Sequence, residues 1–425
     1  MREKLKHKIN EYIENEFEYI YNLTINICKI PSMTGFEKQK ANFILMQLKE
    51  LGIENAYIDD VGNVIYLHNI NNIYTHNINN MCPHEVNNIF QHKADTKYEN
   101  NIKNKSNVDN QITCVKETTG KEGITVVAAH IDTVFKDLWN INPIIKENKI
   151  YAPSILDNSV NVAGLLFCIK IIRELDILIK KPFIFAFNVG EEGLGNLKGI
   201  KHIVDTWKDR IDEVIALDLG YKDIVDTAVG SRRYRIIIET EGGHSWKNFG
   251  NSNAILHAAE IVKDIYNIKV PNNPKTTYNV GIIKGGTSIN TIAERAEMEV
   301  DLRSVDKTCL DNLYRDFINI INSHKSVKAK ISIKALGERP CGKTYHDTKL
   351  IKRIKETRHE LGMETNFRAS STDANYPISL GIPSISFGIG DGNGVHTMEE
   401  YLIIDSIKTG MKHLMHFMLK YCFEE

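Results

Sequence analysis

The chain has 425 residues, of which 42% are hydrophobic and 25% are charged, and its formal net charge is -1. This composition can fill a sizeable core and excludes wholesale disorder, and the length allows two or three domains. Because the chain carries no excess of positive charge, a dedicated nucleic-acid or membrane-surface protein is also disfavoured.

The N-terminal segment and the cysteines indicate a cytoplasmic protein. The first twenty residues are charged throughout and lack the apolar centre of a secretory signal, and no apolar run is expected to span a bilayer. The seven cysteines are scattered, odd in number and never spaced as Cys-x-x-Cys. This pattern is typical of unpaired thiols in a reducing compartment, and not of a disulfide framework or a structural zinc site.

Helices are predicted at the N-terminus. Apolar residues recur at helical spacing between Lys4 and Ile30, which predicts one or two amphipathic helices. A further helix is expected over 35–51 and a short strand over 61–67. Asparagine then dominates residues 69–122, as in NINNIYTHNINN, and few apolar side chains are available there for burial. We interpret this stretch as a long insertion that is loosely ordered or disordered.

The next part of the chain has an α/β pattern. ITVVAAH, PFIFAFNVG and VIALDLG are nearly continuous apolar strands of the kind that is buried in a parallel sheet. A helix is predicted over 160–175, between the first two of them. The same pattern returns near the C-terminus, with a helix over 349–361, the strand PSISFGIG and a last helix over 399–421.

Between these two parts the strands change character. From Tyr234 onwards, YRIIIETE, AEMEVDLRS and KAKISIKAL alternate apolar and polar residues, as strands do when one face of a sheet is solvated. Two helices are predicted among them, near 252–267 and 308–324. This arrangement predicts an α+β unit inserted into the α/β part of the chain.

The candidate site consists of polar residues at the ends of buried strands, at the start of a helix and in one C-terminal loop. These residues are His130, Asp132, Asp157, Glu191, Glu192, Asp218 and His396. Ligands gather at the carboxyl ends of the strands in open α/β sheets, where buried carboxylates are costly unless they are paired or bind metal. The two imidazoles and three of these five carboxylates would suit a pair of zinc ions.

The sequence resembles the di-zinc metallopeptidase family that includes peptidase T, carboxypeptidase G, aminoacylase and succinyl-diaminopimelate desuccinylase. The peptidase T-like branch is the most similar. The resemblance extends from about Ile124 to Tyr401, and the stretches occur in family order. They are AAHIDTVF, ILDNSVNVAGLL, NVGEEGLGNLKG, ALDLG, ETEGGHSWKNFGNSNAI, GGTSINTIAERAEMEVDLRS, ALGERPCG and SSTDANYPISLGIPSISFGIGDGNGVHTMEE.

The family resemblance implies a fold and domain boundaries. It implies a zinc-exopeptidase-type α/β catalytic domain with an inserted α+β (ferredoxin-like) lid/dimerisation domain. The catalytic domain would comprise residues 1–228, including the insertion over 69–122, and residues 339–425. The lid domain would comprise residues 229–338.

The resemblance also implies two Zn2+ ions per subunit, with Co2+ or Mn2+ as possible substitutes. His130 and Asp218 would hold one ion, and Glu192 and His396 the other. Asp157 would bridge both, and its peptide bond to the next residue, Asn158, is expected to be cis.

The other candidate residues receive catalytic or substrate-binding roles from the same resemblance. Asp132 would orient the His130 ring by accepting its second ring proton. Glu191 would be the general base for a water activated by the two metals. His244 would reach into the active site of the partner subunit and polarise the substrate carbonyl.

Three further residues are expected to bind substrate. Asn290 and Arg303 resemble residues that contact the substrate carboxylate or the scissile carbonyl, and Arg339 would assist them. A guanidinium suits this task because its planar fork can grip a carboxylate through two hydrogen bonds.

The sequence thus predicts a metal-dependent amide-bond hydrolase, foremost an exopeptidase of the aminopeptidase or tripeptidase kind that cleaves small peptides. It would act as a homodimer that assembles through the lid domain. A deacylase or desuccinylase of N-acyl amino acids would use the same metals and is the alternative. A non-catalytic metal-binding member is disfavoured because Glu191 is present. A phosphoesterase is disfavoured because no phosphate-cradling glycine loop occurs.

Overall fold

The computed structural model describes residues 2–70, 123–136 and 141–423. The chain divides into two compact units, of which the smaller is Asn69–Glu122. Almost all of that unit lies outside the described residues, so the loose order that the sequence predicts for the insertion stays a prediction. The cysteines within the described ranges are free thiols, as expected: Cys28, Cys168, Cys309, Cys341 and Cys422.

The helices are α1 (Arg2–Asn15), α2 (Phe17–Cys28), α3 (Lys38–Glu50), α4 (Val160–Glu174), α5 (Lys198–Trp207), α6 (Ala254–Ile265), α7 (Lys307–Ser323), α8 (Lys349–Glu360), α9 (Asn375–Ser379) and α10 (Ser406–Leu419).

The strands are β1 (Tyr57–Ile58), β2 (Val64–His68), β3 (Ile124–His130), β4 (Ile144–Lys146), β5 (Lys149–Tyr151), β6 (Phe183–Asn188), β7 (Ile211–Leu217), β8 (Asp223–Ala228), β9 (Gly230–Glu239), β10 (Gly243–His244), β11 (Thr276–Gly285), β12 (Thr291–Ile292), β13 (Arg295–Ser304), β14 (Lys330–Arg339), β15 (Gly342–Lys343), β16 (Asn366–Ser370), β17 (Ser384–Phe387), β18 (Gly392–Asn393) and β19 (Tyr401–Ile403).

A nine-stranded mixed sheet carries the α/β part of the fold. Its order is β1-β2-β6-β3-β7-β17-β8-β15, and β16 also pairs with β8. The central strands β6, β3, β7 and β17 are parallel, and every residue of β3 and β6 is buried. Continuous apolar strands have this position because helices cover the faces of a parallel sheet. Their carboxyl ends therefore lie along one edge, where a ligand site is expected.

Helix α4 and the turn before it lie inside the protein. The helical stretch Ile155–Glu174 is long and apolar enough to cross a membrane by length and composition alone. However, the whole of its apolar window is buried inside the protein. The stretch therefore packs as a core helix, in contact with α2 and α10.

The second sheet is antiparallel, with four strands in the order β11-β13-β9-β14. Along β13, buried positions alternate with partly exposed ones, because one face of the sheet packs on α6 and α7. The chain order β9, α6, β11, β13, α7, β14 and the sheet order are ferredoxin-like. The hydrophobic core of this unit is separate from that of the central sheet. The predicted fold class is confirmed, and the predicted residue boundaries stay a prediction.

Some element boundaries differ from the sequence-based expectation. The last helix begins at Ser406 and not near 399, because Tyr401–Ile403 forms β19 and pairs with β5 in a small antiparallel sheet. The edge strand β11, Thr276–Gly285, was not predicted. Most residues of this strand are exposed, so its sequence shows only a weak alternation of apolar and polar residues.

An ion-pair cluster around Glu360 ties both ends of the described chain to α8. The Glu360 carboxylate lies 3.0 Å from Lys6 Nζ, 2.7 Å from Lys420 Nζ and 3.2 Å from an Arg2 guanidinium nitrogen. Burial alone would raise the pKa of Glu360, but these cations lower it from 4.5 to about 2. A carboxyl group with a lowered pKa in the folded state contributes stability above its unfolded pKa. That contribution is lost as the pH falls through the folded value.

We expect Glu360→Gln to lower the free energy of unfolding at pH 7 by roughly 1 kcal/mol, a modest value because solvent screens a partly exposed group. The difference from wild type should shrink below pH 4.5 and vanish only below about pH 2, where both states are protonated. Urea unfolding over this pH range measures it. Glu356→Gln is the control, because Glu356 is 66% exposed and lies 3.4 Å from Lys420. A pH-independent effect of Glu360→Gln would contradict the ion-pair account.

Candidate metal centre

Five of the predicted residues meet at the carboxyl edge of the central sheet. They come from the ends of β3 and β7, the turn after β6, the turn before α4 and the loop between β18 and β19. They form two groups whose ligand atoms lie within 4.8 Å of one another. One group is His130, Asp157 and Asp218, and the other is Asp157, Glu192 and His396.

Asp157 lies between the two histidines. Its Oδ1 is 3.1 Å from His130 Nε2, and its Oδ2 is 3.1 Å from His396 Nε2. Asp218 Oδ1 is 3.7 Å from the same His130 nitrogen, and Glu192 Oε1 is 2.9 Å from the same His396 nitrogen. Each oxygen of the central carboxylate therefore faces one group, and the ligand roles assigned to these residues stay a prediction.

The turn that carries Asp157 is held by buried hydrogen bonds. The peptide bond between Asp157 and Asn158 is cis, as predicted. The Asn158 side-chain amide donates to the carbonyl oxygens of His130 and Leu217, at 3.2 and 3.0 Å. It thereby ties the ends of β3 and β7 to the turn. This role was not predicted, because nothing in the local sequence shows which carbonyls the amide would meet.

Glu400 is a second residue that the sequence analysis missed. Its buried carboxylate accepts hydrogen bonds from the backbone N–H groups of Ser154, Leu156 and Asp157, at 3.0, 2.8 and 2.9 Å. Burial raises the pKa of Glu400 to about 7, although these N–H groups favour the charged form. The loop that carries His396 thus also fixes the turn that carries Asp157. The available signal was the position of Glu400 in the stretch HTMEEYL.

We expect Glu400→Gln to destabilise the protein by about 1–3 kcal/mol for each buried N–H left without an acceptor, because an amide has only one oxygen. Metal affinity should also fall roughly 10–100-fold, as when other residues that orient metal ligands are changed. Denaturant unfolding and metal competition measure the two effects. Glu399→Gln is the matched control, since Glu399 is the adjacent, exposed glutamate. Identical behaviour of the two variants would contradict the role of Glu400.

Asp132 contacts both halves of the site. Its two carboxylate oxygens accept the backbone N–H groups of Glu191 and Glu192, at 3.0 and 2.8 Å, and Thr34 Oγ1 donates to it at 2.8 Å. The carboxylate approaches His130 Nδ1 to 3.6 Å, and the Asp132 carbonyl oxygen lies 3.2 Å from the same nitrogen. Asp132 therefore fixes the turn of the two glutamates, and its effect on the His130 tautomer stays a prediction.

The electrostatics of the cluster suit divalent cations. Burial alone lowers the pKa of His130, but three neighbouring aspartates raise it well above its usual value. The carboxylates of Asp157 and Glu192 raise the pKa of His396 to about 10. Asp157 Oδ1 and Asp218 Oδ1 are buried and make no hydrogen bond within the described part of the chain, although His130 Nε2 lies 3.1 and 3.7 Å from them. Such unsatisfied anionic oxygens, beside two imidazoles, form a donor set that fits divalent metal ions.

Two further buried carboxyl groups lie beside the cluster. Glu191 is 4% exposed, and burial raises its pKa well above the usual value, while Arg339 opposes this shift. Burial also raises the pKa of Asp373 to about 7, and its Oδ2 accepts from the Asn188 amide at 2.7 Å. Asp373 lies in the family-like stretch SSTDANYPIS, but no role was assigned to it.

Among the described residues predicted to act on the substrate, Arg339 is hydrogen-bonded to Glu191 beside this cluster. His244 is exposed, and the Asn290 carbonyl accepts from the Ser245 N–H at 3.0 Å. Arg303 Nε donates to Asp301 Oδ2 at 2.6 Å. Within the described ranges, no hydrogen bond or ion pair joins His244, Asn290 or Arg303 to the cluster. Their functional roles stay predictions.

Comparison with known families gives a match to the model of peptidase family M20/M25/M40 over residues 126–420, more than half of the chain. The chain belongs to this family. Among curated relatives of this M20 protein, acetylornithine deacetylase of Klebsiella pneumoniae (strain 342) is 24% identical over 320 residues. The match covers 71% of this chain and 81% of the relative.

Solved structures share the fold. A tripeptidase from Staphylococcus aureus Mu50 has a TM-score of 0.71 at 18% identity, covering 96% of this chain and 99% of that one. A dinuclear metal binding peptidase of family M20 from Bacillus subtilis has a TM-score of 0.58 at 14% identity, covering 95% and 98%. The family suggested by the sequence is therefore confirmed. The M20 protein is a metal-dependent amide-bond hydrolase, as predicted.

Proposed function

We propose that this M20 protein is a two-zinc exopeptidase of the peptidase T-like kind, which removes residues from small peptides in the cytoplasm. The position of Asp157 is the observation that carries this proposal. Its two buried oxygens each face a different histidine, at 3.1 Å in both cases. One shared carboxylate with a separate set of ligands on each side is the arrangement that a pair of metal ions requires.

The ligand roles follow the two groups. His130 and Asp218 would hold one ion, Glu192 and His396 the other, and Asp157 both. When bound, the ions polarise the substrate carbonyl and lower the pKa of a nearby water. Asp132 and Glu400 orient the ligands through the hydrogen bonds described above.

Glu191 is the proposed general base. One of its oxygens lies within 4.8 Å of both a His130 ring nitrogen and a Glu192 carboxylate oxygen. From there its carboxylate takes a proton from the attacking water and returns it to the leaving amine. Burial raises the pKa of Glu191, which favours proton uptake by its carboxylate.

The substrate class separates the exopeptidase from its alternative. The fold of a tripeptidase matches nearly all of this chain, whereas a curated relative is an acetylornithine deacetylase. We expect kcat/KM to be higher for di- and tripeptides with a free amino terminus than for N-acetylated amino acids. A panel of both classes, with N-acetylated tripeptides as a matched set, measures this. Preference for N-acetylated amino acids would favour the deacylase, and hydrolysis of neither would favour a non-catalytic metal-binding member.

The homodimer is also part of this proposal. β11 is an edge strand, and its Ile282 and Ile283 are 43% and 54% exposed. Ile255 and Leu256 of the adjacent α6 are 46% and 58% exposed. An unpaired edge with apolar side chains favours pairing with a second copy. His244 is exposed as well, and it would complete the partner's site, while Asn290 and Arg303 would bind substrate.

Mixing two inactive variants tests this arrangement. His244→Ala retains the metal cluster, and Glu191→Gln retains His244. If His244 acts across the dimer, subunit exchange between the two proteins should restore activity, because one site per mixed dimer is complete. Light scattering should report a dimer. A monomer, or a mixture that stays inactive after verified exchange, would contradict the shared site.

A further inference from the structure

The Arg339 guanidinium is bound to Glu191 and not exposed to solvent. Arg339 ends β14 and is 5% exposed. Its Nη1 donates to Glu191 Oε1 at 2.8 Å, and its Nη2 donates to the Glu191 backbone oxygen. Nη1 also lies 3.1 Å from Ser371 Oγ. The guanidinium thus donates hydrogen bonds to both the side chain and the main chain of Glu191.

Neighbouring hydrogen bonds fix the strand end that carries Arg339 relative to the turn that carries Glu191. The Glu338 N–H donates to Asn196 Oδ1 at 2.8 Å, and Arg233 Nη1 donates to the Gly193 carbonyl oxygen at 2.7 Å. The ends of β14 and β9 are therefore fastened to the turn that begins at Glu191. Arg339 therefore reaches Glu191 from the end of β14, and that end is also held by hydrogen bonds in which Arg339 takes no part.

We propose that Arg339 is the positioning residue of Glu191. It holds Oε1 in a fixed orientation, so that Oε2 is the oxygen that exchanges the proton with water. This proposal rests on the function proposed for Glu191. It differs from the substrate-binding role that the sequence predicted for Arg339.

Charge and geometry both support this assignment. A buried carboxylate is costly without a partner, and Arg339 supplies the positive charge. Within the described residues, no hydrogen bond reaches Glu191 Oε2, whereas Oε1 is taken by Arg339. Arg339 is buried and both of its terminal nitrogens donate to Glu191, so the two-nitrogen fork that would bind a substrate carboxylate is occupied. A lysine would supply the charge, but it lacks the planar fork that reaches two oxygens of the same residue.

Arg339→Ala and Arg339→Lys test the proposal in the metal-loaded enzyme. For Arg339→Ala, kcat should fall roughly 10²-fold, the loss that a small misplacement of a catalytic group can cause. KM and metal content should stay near wild type. Added guanidinium ion should restore part of the lost kcat. Arg339→Lys should lie between wild type and the alanine variant. Arg232→Ala is the matched control and should keep wild-type kcat, because Arg232 lies on β9 of the same sheet and forms ion pairs with Glu338 of β14 and Asp311 of α7.

The outcomes separate this inference from the function on which it rests. If Arg339 bound substrate, its loss would raise KM and leave kcat unchanged, which would overturn the proposal. In a Glu191→Gln background, Arg339→Ala should cause no further loss of kcat, because the two residues act as a unit.

If Glu191→Gln alone retained full activity, the proposed function of Glu191 would fail. If that variant were inactive while both Arg339 variants kept wild-type kcat, only the positioning role would fail. If Arg339→Ala does not fold, the kcat and KM of Arg339→Lys decide between the positioning role and the substrate-binding role.

Discussion

Glu191→Gln is expected to lower kcat by roughly 10²–10⁴-fold, the contribution of a positioned general base. The amide has nearly the shape of the carboxylate, but it cannot take a proton from water. Its oxygen can still accept from Arg339, and the Glu191 backbone N–H still donates to Asp132. The fold and the bound metal should therefore be retained.

Steady-state kinetics on a tripeptide, together with metal analysis of the same preparation, measure this loss. Glu338→Gln serves as the control, because its carboxylate is 62% exposed and pairs with Arg232 away from the cluster. A Glu191→Gln variant with wild-type kcat would exclude Glu191 as the base. A variant that lost its metal would instead show that the side chain is a ligand.

Asp157→Asn is expected to remove most of the bound metal and nearly all activity. Both groups of ligands contain this carboxylate, so one substitution weakens both sites. The neighbouring histidines hold the pKa of Asp157 well below its usual range, although burial opposes this. The anionic form is therefore present over the whole working pH range. A neutral amide leaves both imidazoles, and any bound cation, without that charge.

Asp226→Asn is the matched control for Asp157→Asn. Asp226 is also a buried aspartate paired with a histidine, with 2.7 Å between its Oδ2 and His346 Nε2. It belongs to neither group of candidate ligands. Metal content and kcat should be unchanged in this control. If Asp157→Asn kept the metal content of the wild type, Asp157 would not be the shared ligand.

The parts of the site that could be predicted are those in which one strand determines the position of its own polar end. His130 and Asp218 follow buried apolar strands, and parallel pairing places these ends at one edge of the sheet. Asp157 and His396 lie outside strands, so strand pairing does not place them, and their ligand roles came from the family resemblance.

The contacts that support the ligands could not be predicted, because they join distant parts of the chain. Glu400 reaches the turn at Asp157, and Arg339 reaches Glu191 across 148 positions. Burial and hydrogen-bond partners decide these roles, and neither is visible in the local sequence. A glutamate in HTMEEYL and an arginine in GERP are equally compatible with solvated positions. The sequence predicted that Arg339 assists in binding substrate, and its burial in the fold could not be foreseen.

Metal analysis of the wild-type protein, joined to a peptidase assay on the same sample, tests the two-metal centre most directly. We expect about two divalent ions per chain, loss of activity when a chelator removes them, and recovery when they are restored. A preparation that hydrolyses peptides at full rate without divalent metal would contradict the two-metal account.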